Sequence, residues 1–124
     1  MAKILVVDDH PHILRLVQRE LEEAAHEVIT AADGDEALQK IRDERPPLVV
    51  LDVTMPKKDG FQVLREVKSD PATRATVVIM LTARDEDAEM TRGLQLGADW
   101  YVPKPFHPGD IAALARRFLM APTS

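Results

Sequence analysis

Reactive side chains stand directly behind short apolar runs in this chain. Ile4 to Val7 leads into Asp8 and Asp9, Leu48 to Leu51 into Asp52, Val77 to Leu81 into Thr82, and Tyr101 and Val102 into Lys104 across a single proline. Three carboxylates brought together repel one another, so near neutral pH either bound protons or a hard divalent cation must offset them. Oxygen donors in a chain with no cysteine favour Mg²⁺, with Mn²⁺ as the alternative ion, over zinc. Mg²⁺ keeps coordination positions for phosphoryl oxygens, and Lys104 adds a second positive charge to the same place. The chemistry such a set would perform is phosphoryl transfer.

For these side chains to meet, the apolar runs must be neighbouring strands that end on one edge of a sheet. Five such runs, Ile4 to Val7, Val28 to Ala31, Leu48 to Leu51, Val77 to Leu81 and Tyr101 to Val102, alternate with amphipathic segments, which is the pattern of five βα units. Pro11 suits a first helical position, and Ile13, Leu14, Val17 and Leu21 follow on one helical face. Gly34 to Asp43 carries Ala37, Leu38 and Ile41, Phe61 to Val67 carries Val63, Leu64 and Val67, and the last segment carries Ile111, Leu114 and Phe118. Gly97 is placed to end a fourth helix after Leu96. The unbroken apolar runs of the first, third and fourth strands predict burial on both faces, as in a parallel sheet between two helical layers. In open sheets of this kind ligands bind beyond the carboxyl ends of the strands, which is where the reactive residues lie.

The bulk properties narrow the function. The chain has 124 residues, 45% hydrophobic and 30% charged, which predicts one domain with one core. A formal net charge of −5 argues against direct nucleic-acid binding. No apolar run near the start is long enough for a signal peptide or a membrane span, and the chain lacks cysteine and asparagine, so a cytoplasmic protein without disulfides or N-glycans is expected.

The stretches "ILVVDDHP", "LVVLDVTMPKKDGF", "VVIMLTA" and "GADWYVPKPF" together resemble the receiver domain of two-component response regulators over essentially the whole chain. The resemblance implies a flavodoxin-like (βα)5 fold, a five-stranded parallel sheet of order 2-1-3-4-5 with helices on both faces. It implies that Asp52 accepts a phosphoryl group from a phosphohistidine, and that Asp9 and Asp52 hold Mg²⁺ with the backbone carbonyl of Thr54, with Asp8 acting mainly through water. Thr82 would hydrogen-bond the phosphoryl group and Lys104 would pair with it. Tyr101 would be the aromatic switch that turns inward once Thr82 moves, altering the face built by the fourth helix, fifth strand and fifth helix. The donor would be a sensor histidine kinase or a phosphotransfer protein; the target would be a partner protein or a tethered output domain, with a phosphorylation-dependent homodimer as a further use of the face. The resemblance makes the chain a phospho-accepting signalling domain and not an enzyme, with residues 1–121 as the receiver and 122–124 as a tail or the start of a linker.

Other residues are read with and without that resemblance. Trp100 replaces the small or acidic residue common at its position, so an exposed indole would contact a partner or else pack under Arg116 or Met90. Thr54 and Arg84 each lie two residues beyond a site anchor, where they would flank the path of the water that hydrolyses an acyl phosphate. His10 and His12 beside a helix start are expected to be exposed and not to hold zinc or nickel. His26 and His107 show no partners in the sequence. Lys57 and Lys58 read as a solvated turn or a weak attractor of phosphodonors, and Asp85, Glu86 and Asp87 as acids offsetting a helix dipole. A Mg²⁺-dependent aspartyl phosphatase would carry a second aspartate two residues after the nucleophile, and here that position is Thr54. A flavodoxin would need a first loop that cradles phosphate, which "DDHPH" would repel. A scaffold of the same fold that is never phosphorylated is the remaining alternative.

Overall fold

The computed structural model describes residues 2–53, 58–82, 91–92, 94–104, 106–107 and 109–120. The apolar runs form five strands, β1 (Lys3–Val7), β2 (Glu27–Ala31), β3 (Leu48–Asp52), β4 (Val77–Thr82) and β5 (Trp100–Pro103). Four helices lie among the described residues, α1 (Pro11–Glu23), α2 (Gly34–Glu44), α3 (Gly60–Ser69) and α4 (Asp110–Leu119). Every strand pairing is parallel and the order is β2-β1-β3-β4-β5, so the flavodoxin-like α/β fold expected from the sequence is the one observed. The helix expected before Gly97 spans residues mostly outside the described set; residues 91, 92, 94 and 95 are helical. The last expected helix is α4.

Side chains alternate across the sheet, and each face has its own apolar layer. Leu5, Val7, Val49, Leu51, Val78 and Met80 meet Leu38 and Ile41 of α2 and Leu64 and Val67 of α3. Ile4, Val6, Leu48, Val50, Ile79 and Leu81 meet Val17 and Leu21 of α1 and Ile111 and Ala115 of α4. All five residues of β3 are buried, which explains why that strand reads as a continuous apolar run up to Asp52. β5 closes one edge of the sheet, and there Pro103 lacks only a donor that would face no further strand.

The helix ends are fixed by local chemistry. Asp33 caps α2 by accepting from the Glu36 amide at 2.8 Å, and Asp59 and Gln62 form a reciprocal capping box at the start of α3. α4 begins after Gly109, which has no side chain to cap it, and Glu20 of α1 fills that role across space. Its carboxylate accepts from the amides of Gly109 at 3.0 Å and Ala112 at 2.6 Å, tying α1 to α4. Gly97 adopts φ 105°, as its position after a helix predicts. Nearby, Lys68 donates to the Thr76 carbonyl at 2.7 Å and pairs with Asp99 at 3.1 Å, while Asp99 accepts from the Val78 amide at 2.8 Å. These contacts set the entry of β4 and β5.

Gly60 places α3 against the end of β3. Its amide donates to the Val53 carbonyl at 2.7 Å, and a Cβ added there would lie 2.3 Å from the Asp52 carbonyl oxygen and 2.8 Å from the Val53 Cα. Gly60→Ala therefore has to push α3 off the strand that carries Asp52. The expected cost is about 1–3 kcal/mol of stability by analogy with overpacked cores, read as a lower urea midpoint with an unchanged slope.

Candidate functional site

The alternation that builds the two layers also decides which polar side chains meet. Continuing Ile4 and Val6 by two residues gives Asp8, continuing Leu48 and Val50 gives Asp52, and continuing Val102 gives Lys104, all on the α1 and α4 side of the sheet. Continuing Val78 and Met80 gives Thr82, on the α2 and α3 side, where Tyr101 is also buried. β1 and β3 are adjacent with Val7 opposite Leu51, so Asp8 and Asp52 follow side by side. Lys104 comes from two strands away from Asp52, beyond β4, and its long stem covers the distance. Its Nζ lies 3.2 Å from Asp52 Oδ1 and 3.3 Å from Asp8 Oδ2. The Lys104 amide donates to the Thr82 carbonyl at 2.6 Å, which holds the lysine backbone to the end of β4.

Asp8 and Asp52 are 1% and 3% exposed, so one ammonium serves two carboxylates withdrawn from water. Asp52 Oδ2 is buried and has no hydrogen-bond partner among the described residues. Such an orphaned acceptor is costly unless a ligand completes it. Burial and the neighbouring Asp8 charge push the Asp52 carboxyl up to about 6, against the pull of Lys104. Asp9 is more open, and the imidazole Nδ1 of His10 stands 3.2 Å from Asp9 Oδ1 and 3.3 Å from Asp8 Oδ1.

Asp8, Asp9, His10 and Asp52 each offer a donor atom, and these atoms lie within 4.8 Å of one another. Donors opposite each other on an octahedral ion with bonds of about 2.1 Å are roughly 4.2 Å apart, so the set fits a divalent cation after a contraction of a few tenths of an ångström. The excess of carboxylates over ammonium and the orphaned Asp52 oxygen agree with that fit, and the acidic pocket is compatible with Mg²⁺.

The remaining expected residues are distributed as follows. Thr82 is buried at the end of β4 and Tyr101 is buried in β5. Thr54, Arg84, Lys57, Met90 and the acids at 85–87 lie outside the described residues. Trp100 is 45% exposed in β5, with its ring 6.3 Å from that of Phe118 and the Arg117 guanidinium 5.9 Å above it. The cation over its ring is Arg117, one residue along α4 from the Arg116 of the packing alternative. Lys58 is not a free attractor of phosphodonors, since it pairs with Glu66 at 2.7 Å. His26, expected to lack partners, accepts from the Ala2 amide at 3.3 Å, and burial lowers its pKa. His107 donates its amide to Asp110 at 2.8 Å. The sequence reading left His10 out of the site; its place between two acids and Pro11 was the available signal.

Comparison with known proteins follows this geometry. The family described as the response regulator receiver domain matches residues 4–116. The alkaline phosphatase synthesis transcriptional regulatory protein PhoP of Bacillus subtilis is 45% identical over 127 residues, covering 98% of this chain and 52% of PhoP. The chain spans about half the length of the curated relatives it matches. A putative response regulator from Chloroflexus aurantiacus superposes with a TM-score of 0.91 at 32% identity, covering 95% of this chain and 97% of that one. The BeF3-activated DrrB receiver domain superposes with a TM-score of 0.87 at 38% identity, covering 96% and 97%. No helix among the described residues is long and apolar enough to cross a membrane.

The raised Asp52 pKa makes a stability prediction. Below the ordinary value of 3.8 the group is protonated in both states and costs nothing. Between 3.8 and about 6 the unfolded chain releases the proton while the folded one retains it, so stability falls as pH rises; above 6 the penalty is constant. The full difference corresponds to about 3 kcal/mol. In EDTA, Asp52→Asn should therefore be more stable than the wild type at pH 7, by on the order of 2 kcal/mol after allowing for the partner Lys104 loses. The gain should shrink toward pH 4, as measured by urea unfolding across that range.

Proposed function

This chain belongs to the receiver domain family of two-component response regulators, and from that premise we propose that Asp52 is its phospho-acceptor in a divalent-metal-dependent reaction. The domain is a signalling module, and the observation that carries the proposal is the buried Asp52 Oδ2, orphaned beside Lys104, Asp8 and Asp9. The domain occupies residues 1–121 and works in the cytoplasm. Its donor is a sensor histidine kinase or a histidine phosphotransfer protein, in keeping with relatives named as transcriptional regulators.

The reaction follows from positions and charges. An Asp52 carboxylate oxygen attacks the phosphorus of a phosphohistidine in line with the P–N bond; that bond breaks, the imidazole leaves with the electron pair and takes up a proton, and an acyl phosphate remains. Burial keeps bulk water from the carboxylate, so the nucleophile is already desolvated when the donor arrives. Lys104, tethered through its amide to the Thr82 carbonyl, gives up one of its two carboxylate partners and pairs with a phosphoryl oxygen as charge builds there. When bound, Mg²⁺ or Mn²⁺ would supply charge neutralisation; Asp8, Asp9 and Asp52 would hold it, with the Thr54 backbone carbonyl as the family resemblance implies.

The switch uses the other side of the sheet. Thr82 ends β4 on the face where Tyr101 is buried, so a movement of the Thr82 hydroxyl toward the phosphoryl group changes the space next to the Tyr101 ring. The consequence reaches β5, whose exposed Trp100 is the partner contact, together with α4. A partner protein, an output domain or a second copy of the chain reads that face. Coupling of about 1–3 kcal/mol between site and face is enough for such a two-state element. Thr54 and Arg84 tune how fast water removes the phosphoryl group.

Intact-protein mass spectrometry after incubation with acetyl phosphate, with and without Mg²⁺, tests the acceptor. The expected result is a Mg²⁺-dependent gain of roughly 80 Da, one phosphoryl group, that is absent from Asp52→Ala. A wild type that gains nothing from acetyl phosphate, phosphoramidate and a phosphorylated histidine phosphotransfer protein alike would leave only a scaffold of this fold.

A further inference from the structure

The acidic site contains a donor of a different kind from its carboxylates. His10 Nδ1 stands 3.2 Å from Asp9 Oδ1 and 3.3 Å from Asp8 Oδ1. Adjacent donors on an octahedral ion with bonds of about 2.1–2.2 Å are roughly 3.0 Å apart, so these spacings are those of neighbouring ligands on one cation. We propose that the His10 imidazole is a metal ligand in this site and shifts its preference from Mg²⁺ toward late first-row dications such as Co²⁺ and Ni²⁺. The proposal rests on reading the acidic cluster as a divalent-cation site.

The backbone explains why the imidazole is held there. Pro11 excludes the helical region for the residue before it, and His10 is accordingly extended at φ −91°, ψ 108°. It occupies the N-cap position of α1 but forms no side-chain cap; its ring nitrogen instead lies within hydrogen-bonding distance of Asp8 Oδ1, a contact that a bound cation would replace. The His10 amide already donates to Asp8 Oδ1 at 2.9 Å, which fixes the loop without help from the ring. The side chain is 65% exposed, so packing does not force its direction, and the ring nonetheless faces both carboxylates. Lys104 occupies Asp8 Oδ2 and Asp52 Oδ1, and Asp52 Oδ2 remains buried and unpartnered among the described residues.

The chemistry of the set sets its selectivity. An all-oxygen site suits Mg²⁺, whereas an imidazole nitrogen raises affinity along the series from Mn²⁺ through Co²⁺ to Ni²⁺ far more than for Mg²⁺. Three carboxylates, one imidazole and the Thr54 carbonyl of the proposed set make five donors, leaving one of six octahedral positions for a phosphoryl oxygen. The nitrogen therefore adds selectivity without closing the site to the phosphoryl group.

Calorimetric titration of the intact chain with Mg²⁺ and with Co²⁺ at pH 7.5 tests this, using wild type, His10→Ala and His10→Gln. Both variants should lower the ratio of Co²⁺ to Mg²⁺ affinity by about 10–100-fold, mainly through weaker Co²⁺ binding, with a matching change in the visible absorption of bound Co²⁺. An unchanged ratio in both variants overturns the inference while leaving the cation site intact. A wild type that binds neither ion overturns the cation site and the inference with it.

Discussion

The structure is organised around a carboxylate kept out of water with too little positive charge to balance it. Asp52 sits at the end of a strand buried on both faces, next to a second buried carboxylate, and the two share one ammonium. Removing a charge from water is expensive, and Lys104 recovers only part of that cost, which is why the Asp52 pKa rises to about 6 instead of falling as in a simple ion pair. The domain tolerates this because its apolar layers are extensive on both sides of the sheet. What remains is an unfilled demand for positive charge at the Asp52 oxygen that Lys104 leaves free, and a divalent cation is compatible with it.

Each neighbouring element serves that constraint. The parallel order sets β1 and β3 side by side so that Asp8 and Asp52 emerge together, and β5 stands two strands from β3, so that a lysine but not a shorter side chain reaches back. Gly60 lets α3 pack directly on the Asp52 backbone, and a side chain there would strike the strand. Glu20 joins α1 to the first turn of α4, tying together the two helices that cover the site face of the sheet.

Strand alternation also divides the polar groups between the two faces of the sheet. Asp8, Asp52 and Lys104 continue the alternation of one layer while Thr82 and Tyr101 belong to the other, and the Lys104 amide donates to the Thr82 carbonyl between them. Trp100, adjacent to Tyr101 in sequence and half exposed, leans on Phe118 and Arg117 at the β5 edge.

The amino-acid sequence by itself determined the parallel α/β architecture, the strand limits to within a residue, and the convergence of Asp8, Asp9, Asp52 and Lys104, because apolar runs of β-branched residues and the groups that follow them are local signals. Gly97 and Pro11 were legible for the same reason: a positive φ and a first helical turn are properties of single residues. The pairing of Lys58 with Glu66, the turning of Arg117 toward Trp100 and the capping of α4 by Glu20 were decided only by tertiary structure. Each depends on the rotation of one helix against another element, which no short stretch of sequence encodes. His10 belongs to both classes. Its neighbours in the chain showed that it stood beside the acids, and the fold alone turned its nitrogen toward them, since that direction depends on where β1 ends and α1 begins.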